Sequence, residues 1–161
     1  MPATPGETFL DGYLPYLLRQ ADQAISAAFY DVLTREGVPR SDWRVLAVLH
    51  EYRELSIREL THHSLSPQPT VTHSVRRLEG RNLVRRVQGT DDKRQRFVSI
   101  TKGGDLLTAT LVAEAKQLEQ EALRRANLVD LEQLALGLKQ LTIGVTETPH
   151  DTTPLPAAPP D

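Results

Sequence analysis

The segment 56–100 constrains the fold more than any other part of the chain, because it contains two helix-start signals in close succession. Ser56 precedes Glu59 by three residues, which is the spacing of a capping box and predicts a short helix. Ser66, followed by a proline, predicts a second helix that has a serine cap and continues to about Gly80. Two short helices joined by a tight turn can present the second one to the major groove of DNA. Phosphate groups bind at helix N-termini, so we expect both serines to lie near the DNA backbone.

The second predicted helix has an apolar side and a polar side. Val71, Val75 and Leu78 recur at helical spacing and are predicted to face the core. The opposite side carries short or forked hydrogen-bonding side chains: Gln68, Thr70, Thr72, His73, Arg76 and Arg77. Such side chains reach base edges and phosphates in protein–DNA complexes. We therefore expect Thr72 and His73 to face the groove. The two arginines lie one turn further along, where backbone phosphates are the expected partners.

A β-hairpin is predicted next along the chain. Two β-rich runs, 83–88 and 96–100, flank the turn-prone segment 89–95. The tip of this hairpin and the adjoining strand carry Asp92, Lys93, Arg94, Gln95 and Arg96. Long cations on a protruding loop suit the minor groove, so we expect the hairpin to contact DNA beside the second helix.

The charge of the chain is unevenly distributed, although the formal net charge is only −2. Residues 53–104 carry 11 Lys or Arg against 5 Asp or Glu, whereas the rest of the chain carries 8 against 16. A basic middle between acidic flanks favours a polyanion as the partner, and nucleic acid is the obvious candidate. The alternative is a solvated surface that happens to be rich in arginine.

The N-terminal flank is predicted to be helical after a flexible start. Residues 1–8 contain two prolines and a glycine, which do not favour regular structure. Apolar residues recur at helical spacing from 9 to 36 and predict one long amphipathic helix, with Pro15 within its first turns. Ser41 is expected to cap the next helix.

The C-terminal flank is predicted to contain two more helices. Thr101 is expected to cap a long helix that reaches about Ala126. Its predicted apolar stripe consists of Leu106, Leu107, Leu111, Ala115, Leu118 and Leu123. The leucines of the last helix are Leu131, Leu134, Leu138 and Leu141. Residues 148–161 contain five prolines and predict a disordered tail. Intertwined helices from two copies would bury the outer apolar stripes, whereas in a monomer these helices would pack on each other.

Several classes of activity lack their sequence signals. Without cysteine, thiolate metal sites and cysteine-based redox sensing are excluded. The chain has no G-x-S-x-G, G-x-G-x-x-G or P-loop pattern, so we expect no enzyme activity and no cofactor. His62 and His63 point about 100° apart on a helix, so a metal site would need His50, His73 or a distant carboxylate and is not expected. No apolar run approaches the roughly 20 residues of a membrane span and no signal peptide is evident, which predicts a cytoplasmic protein without a membrane partner.

A small-molecule pocket is also predicted. The residues that combine aromatic walls with a possible partner for an anion are Tyr13, Tyr16, Trp43, Arg44 and Tyr52. Pockets for aromatic acids require such groups, so a small aromatic or anionic effector is the expected ligand. The alternative is that these residues only pack helices together.

A series of motifs recurs in order along the chain: Trp43…Leu49, Leu55-Ser56-Ile57-Arg58-Glu59-Leu60, Pro69-Thr70-Val71-Thr72, Arg77-Leu78-Glu79…Asn82-Leu83-Val84 and Asp92-Lys93-Arg94…Ser99-Ile100-Thr101…Gly104. Over about residues 9–144 they resemble the MarR family of winged helix-turn-helix regulators. The most specific part is the Asp-x-Arg of the wing, followed by a strand and a helix that starts at threonine.

The resemblance implies a homodimer that binds pseudo-palindromic operators and often releases them when a small molecule binds. By position, Pro69–Arg77 resembles the recognition helix and Asp92–Arg96 the wing. Arg94 resembles the wing arginine that enters the minor groove, and Asp92 resembles its orienting partner. The chain departs from the family pattern at two places. Gly80 and Asn82 stand at the end of the recognition helix, where the commoner pattern has glycine only, and His73 stands where arginine is frequent.

The predicted fold is mainly α with a small β-hairpin wing: a winged helix-turn-helix with long N- and C-terminal dimerisation helices. The predicted boundaries are a dimerisation helix at 9–40, a DNA-binding domain at 41–101 and dimerisation helices at 102–147, between flexible ends at 1–8 and 148–161. The predicted function is a homodimeric transcriptional regulator that acts as a repressor on double-stranded operator DNA and is released by a small-molecule effector. One alternative is a small-molecule- or metal-binding helical module without DNA function. Another is a helical interaction protein whose basic hairpin binds acidic partners.

Overall fold

The computed structural model describes residues 8–88, 96–126 and 130–147, and within them the fold is mainly helical with one small antiparallel sheet. The elements are α1 (Phe9–Gly12), α2 (Leu14–Arg35), α3 (Arg40–Tyr52), β1 (Glu54–Ser56), α4 (Ile57–His63), α5 (Gln68–Gly80), β2 (Val84–Gln88), β3 (Arg96–Ile100), α6 (Lys102–Arg125) and α7 (Leu131–Glu147). Two compact units result, one ending at Arg125 and the other beginning at Ala126. The predicted fold class is confirmed.

The N-terminal helix is interrupted, so the prediction of one continuous helix over 9–36 was wrong. Helix α1 ends at Gly12, Tyr13 is extended, and α2 begins at Leu14 with Pro15 in its first turn. Proline has no N–H to donate, and its ring collides with the preceding turn of a helix. The break at Tyr13 places Pro15 where the helix has no partner for the missing donor.

The sheet has three strands rather than the two that the sequence predicts. Strands β2 and β3 form the expected hairpin, and β1 adds to the other edge of β3 in the order β1-β3-β2. Leu55 of β1 and Arg86 of β2 both pair with Val98 at the centre of β3. Three residues are too few for an alternating pattern to emerge, and therefore β1 gave no sequence signal.

The hydrophobic core lies between α2, α3, α4, α5, α6 and the sheet. Fifteen apolar side chains form it among the described residues: Phe29, Val32, Leu33, Val38, Val45, Leu46, Leu49, Leu55, Leu60, Val71, Val75, Leu78, Val84, Val98 and Leu111. The three that α5 contributes are those predicted to face inward. The helix is therefore held on its apolar side, and its opposite side faces away from the core.

Helix α6 is joined to the sheet by a tight contact at its first turn. The Thr101 hydroxyl accepts a hydrogen bond from the Gly104 backbone N–H at 3.0 Å, which confirms the predicted cap. The same hydroxyl donates to backbone carbonyls, including that of Leu83 at 3.1 Å. A side chain at position 104 would overlap the Leu83 carbonyl, so this approach requires glycine.

One member of the predicted α6 stripe does not face the core. Leu106 is 72% exposed, whereas Gly104, Thr108 and Leu111 are buried. Two residues span about 200° around a helix, so Leu106 lies on the side opposite both Gly104 and Thr108. Its inclusion in the buried stripe was wrong.

Helix α7 belongs to the second unit and contains the four leucines predicted for the last helix. Its exposed apolar side chains include Leu131, Leu134, Leu138 and Leu141, which recur at helical spacing and form a stripe along the helix. Over the residues that the structure describes, no helix combines the length and the apolar character that crossing a bilayer requires.

Candidate nucleic-acid interface

Helix α5, which the sequence predicts to be the recognition helix, does not start with the predicted cap. Its N-terminal flanking residue is Pro67, which provides no side-chain cap, and Pro69 is the second helical residue. The Ser66 hydroxyl is buried and donates to the Ser64 carbonyl at 3.0 Å. The predicted Ser66 cap was therefore wrong, because this hydroxyl closes the turn before the helix instead of accepting from its first N–H groups.

The outer face of α5 carries the polar side chains that the sequence singled out. Gln68, Thr70, His73 and Arg76 are exposed, and Thr72 is half-buried. The inner face of the same helix is fully buried. This geometry leaves a row of amide, hydroxyl, imidazole and guanidinium groups free to meet a groove. Their contacts with DNA remain a prediction.

Arg77 has a partner that the sequence did not reveal. Its Nη2 and Nε lie 2.5 and 3.1 Å from the two carboxylate oxygens of Asp42, a bidentate pair between α5 and the first turn of α3. Asp42 is only 1% exposed. The Arg77 guanidinium also donates to Ser41 at 3.0 Å and to Ser74 at 3.3 Å. Hydrogen bonding with Asp42 raises the pKa of Arg77 above its usual value.

Ser41 therefore has a different role from the cap predicted for it. Helix α3 begins at Arg40, its flanking residue is Pro39, and neither provides a side-chain cap. The pair of Asp42 and Arg77 joins residues 35 positions apart, so local spacing carries no signal of it. Because the guanidinium is held within the chain, Arg77 is better placed to position α5 than to reach a phosphate.

The capping box at α4 is confirmed. The Ser56 hydroxyl accepts from the Glu59 N–H at 3.3 Å, and the Glu59 carboxylate accepts from the Ser56 N–H at 2.8 Å. The hydrogen bond from the Ser56 backbone, followed by that from its hydroxyl, lowers the pKa of Glu59 below its ordinary value. The Ser56 hydroxyl thus serves the helix start, and contact with a phosphate there remains a prediction.

The strands of the wing are described, but its tip is not. Arg85, Arg86 and Arg96 are exposed on β2 and β3, and Arg86 lies 3.5 Å from the Glu79 carboxylate of α5. The predicted contacts of the tip, Asp92, Lys93, Arg94 and Gln95, lie outside the described residues. Arg96 lies at the start of β3, opposite Gln88.

The five residues predicted for an effector pocket do not converge. Trp43 and Arg44 together line one open pocket of about 360 Å³, and Trp43 also lines a second pocket of about 270 Å³. Tyr52 lies beside the first, stacked on His63 with 4.5 Å between ring centroids. Tyr13 stacks on Phe9, and Tyr16 accepts from Gln20; neither lines these two pockets. Only the pair on α3 therefore forms one site.

His50 and Asp105 form a contact between α3 and α6 that the sequence did not indicate. The Asp105 carboxylate lies 2.6 Å from both His50 Nδ1 and Arg53 Nη1. Burial raises the pKa of Asp105, but the hydrogen bonds and charges of Arg53 and His50 outweigh it, so the pKa lies below its ordinary value. Among the described residues, no group of three His, Cys, Asp or Glu side chains is placed to hold a metal ion.

The chain is similar to several known regulators. The sequence profile of the MarR family matches residues 38–95. The homoprotocatechuate degradative operon repressor of Escherichia coli is 28% identical over 112 residues, which cover 67% of this chain and 76% of the repressor. The crystal structure of a MarR family transcriptional regulator from Silicibacter pomeroyi is 34% identical with a TM-score of 0.76, and the match covers 86% of this chain and 99% of that one. BpsR of Bordetella bronchiseptica, whose DNA binding is regulated by 6-hydroxynicotinic acid, shares the fold with a TM-score of 0.72 at 23% identity, over 89% of this chain and 99% of BpsR.

Proposed function

This chain belongs to the MarR family of winged helix-turn-helix transcriptional regulators, which are not enzymes, and we propose that it acts as a homodimeric cytoplasmic repressor on a pseudo-palindromic operator. In this proposal the outer face of α5 reads bases in the major groove, and the wing between β2 and β3 lies over the adjacent minor groove. A repressor among the similar proteins supports the direction of regulation.

The observation that carries the proposal is the division of α5 into two faces. Val71, Val75 and Leu78 anchor the helix at zero exposure, while Gln68 and His73 on the other side are exposed. A helix held rigidly on one side can present short polar groups to base edges at low entropic cost. Exposed arginines on the neighbouring strands supply positive charge beside that face.

Dimerisation is supported by apolar surface that the single chain leaves uncovered. Leu10, Leu14, Leu17 and Leu18 are exposed on α1 and α2, and α7 separately exposes the stripe described above. Rows of exposed leucines at helical spacing are typical of a face that packs against another helix. A second copy of the chain would cover them, and a twofold dimer matches the symmetry of a palindromic site.

The dimer proposal can be tested on α2 by placing charge on its apolar side. Leu14→Asp combined with Leu18→Asp should convert the dimer to monomer in light scattering and weaken operator binding. The matched control is Gln23→Asp, which adds the same type of charge about 180° around the helix from Leu14 and should leave the dimer intact. Equal molar masses for both variants and the parent would contradict the proposed interface.

A small aromatic or anionic effector is part of the proposed function. The pocket beside Trp43 and Arg44 supports it, because an indole wall and a guanidinium suit an aromatic acid. The regulation of BpsR DNA binding by 6-hydroxynicotinic acid supports it at the level of the fold. In this chain the effector would release the operator on binding.

The experiment that tests DNA binding is an anisotropy titration of the duplex upstream of the chain's own coding region against a scrambled duplex, at two salt concentrations. We expect tighter binding to the native duplex and an affinity that falls steeply with salt. Absence of salt-sensitive binding in the micromolar range would contradict the proposal. If the duplex is bound, a footprint on the same region would define the half-sites.

A further inference from the structure

Arg53, the single residue between α3 and β1, has an uncommon backbone conformation. Its φ is +67° and its ψ is −49°, near the values of the rare and strained γ-turn with positive φ. Residues with a β-carbon disfavour positive φ, so such a conformation persists only where the surrounding contacts impose it. Strained backbone of this kind is concentrated at functional sites.

Two contacts hold Arg53 in place, one through its backbone and one through its side chain. Its carbonyl accepts a hydrogen bond from the Ile100 N–H at 3.1 Å, at the end of β3. Its Nη1 lies 2.6 Å from the Asp105 carboxylate, in the first turn of α6. We call these two contacts the Arg53 anchor. His50 of α3 contacts the same Asp105 oxygen, so Asp105 joins the end of α3 to the start of α6.

The strand that follows Arg53 supports the wing. Strand β1 pairs Glu54 with Ser99 and Ser56 with Phe97, so its pairing with β3 ends one residue before the exposed Arg96. A strand of only three residues makes few ladder hydrogen bonds. Its position therefore depends on how its first residue is held, and that residue follows the Arg53 anchor directly.

We propose that Asp105 is a positioning residue for the wing: it holds Arg53 in the strained conformation, which keeps β1 paired with β3 and places Arg96 for contact with DNA. The Arg53 side chain is 61% exposed, so its ion pair adds little to the stability of the whole fold. Its effect is local, at the base of the wing. The part that concerns DNA rests on the function proposed above.

The Arg53 anchor is tested on the full chain without DNA by amide hydrogen exchange. Asp105→Asn and Arg53→Gln each remove the ion pair, so each should speed exchange at the Ile100 amide by about threefold to fivefold. Exchange at Val75, in the buried face of α5, should stay the same. The matched control is Glu51→Gln, which removes an exposed carboxylate of α3 that makes no ion pair among the described residues. It should leave Ile100 unchanged.

Two comparisons separate the ion pair from other roles of these residues. Arg53→Gln retains the negative charge of Asp105 at the start of α6, where it also favours the helix. Faster exchange in Asp105→Asn alone would assign the aspartate to the helix start and overturn the anchor. Arg53→Gly lacks the guanidinium as well, but glycine adopts positive φ at low cost, so Ile100 should exchange more slowly than in Arg53→Gln. Equal or faster exchange in Arg53→Gly would contradict the role of strain.

The effect on DNA is tested by anisotropy titrations with the duplex upstream of the chain's own coding region. We expect Asp105→Asn to weaken binding by about fivefold in the parent and in Thr72→Ala, whose change lies on α5. In Arg96→Ala the same change should weaken binding by less than about twofold, because the wing contact is already lost. Equal losses in all three backgrounds would refute action through the wing.

The two experiments fail independently. If exchange at Ile100 rises in Asp105→Asn and the affinity for the duplex is constant, the anchor stands and the positioning of the wing is refuted. If the parent fails to bind the duplex at all, the proposed function fails, and the exchange measurement still decides the anchor.

Discussion

Replacing Arg77 separates a positioning role from a role in DNA contact. The Asp42 carboxylate is 1% exposed in the intact protein, and in Arg77→Ala it loses two hydrogen bonds and keeps the one from the Ser41 hydroxyl. Breaking a buried ion pair by removing one partner typically costs about 3–5 kcal/mol. The Arg77 side chain is itself 41% exposed, so water can enter after truncation, and we expect about 2–3 kcal/mol of lost unfolding free energy.

The control is the neighbouring residue Arg76, which is exposed and makes no ion pair among the described residues. Arg76→Ala should change the unfolding free energy by no more than about 0.5 kcal/mol. Urea unfolding at one fixed protein concentration measures both variants. Adding Asp42→Ala to Arg77→Ala should recover part of the loss, with a coupling energy of about 1–3 kcal/mol in the double-mutant cycle.

DNA titrations complete the comparison. If Arg77 only positions α5, Arg77→Ala should weaken operator binding without changing how the affinity depends on salt. Loss of a phosphate contact would instead lower the slope of log affinity against log salt concentration, the salt slope, by about one unit. The reasoning is refuted if Arg77→Ala is as stable as Arg76→Ala and lowers the salt slope.

Three further changes test other parts of the structure. Gly104→Ala should destabilise the fold by about 3 kcal/mol, because the new methyl group overlaps the Leu83 carbonyl. The control Gly103→Ala has room for the methyl group and should stabilise α6 slightly. Thermal melts compare the two variants. Glu59→Ala should cost about 0.5 kcal/mol at pH 7. Since the pKa of Glu59 is lowered in the folded state, its stabilisation is complete above its ordinary value and disappears as pH falls through the lowered one, so unfolding curves of variant and parent should converge in acid. Arg94→Ala should weaken DNA binding by about 1–3 kcal/mol with unchanged melting temperature, and unaltered affinity at moderate salt would contradict a DNA contact by the wing.

The sequence predicted elements whose signals are local. The Ser56–Glu59 capping box, the buried face of α5 and the hairpin strands all follow from residues within one turn or one strand of each other. The resemblance to the family then connected these elements to a function. Local patterns therefore carried most of the fold and the outer face of α5.

The sequence could not predict contacts between distant segments. The pair of Asp42 and Arg77 and the pair of His50 and Asp105 join residues 35 and 55 positions apart. Nothing near Arg77 in the sequence distinguishes it from Arg76, so both were assigned to phosphates. The cap predicted at Ser66 was wrong for a related reason. A serine before proline fits both a helix cap and a turn closed by its own hydroxyl, and only tertiary packing decides between them.

In the proposed function, the outer face of α5 reads DNA sequence. The measurement that tests it most directly is the affinity of Thr72→Ala, His73→Ala and Arg76→Ala for operator and scrambled duplex at matched salt. We expect Thr72→Ala and His73→Ala to lose about 1–3 kcal/mol on the operator alone, and Arg76→Ala to weaken both duplexes about equally. Equal losses on both duplexes for all three variants would contradict the claim, because α5 would then bind phosphates without reading bases.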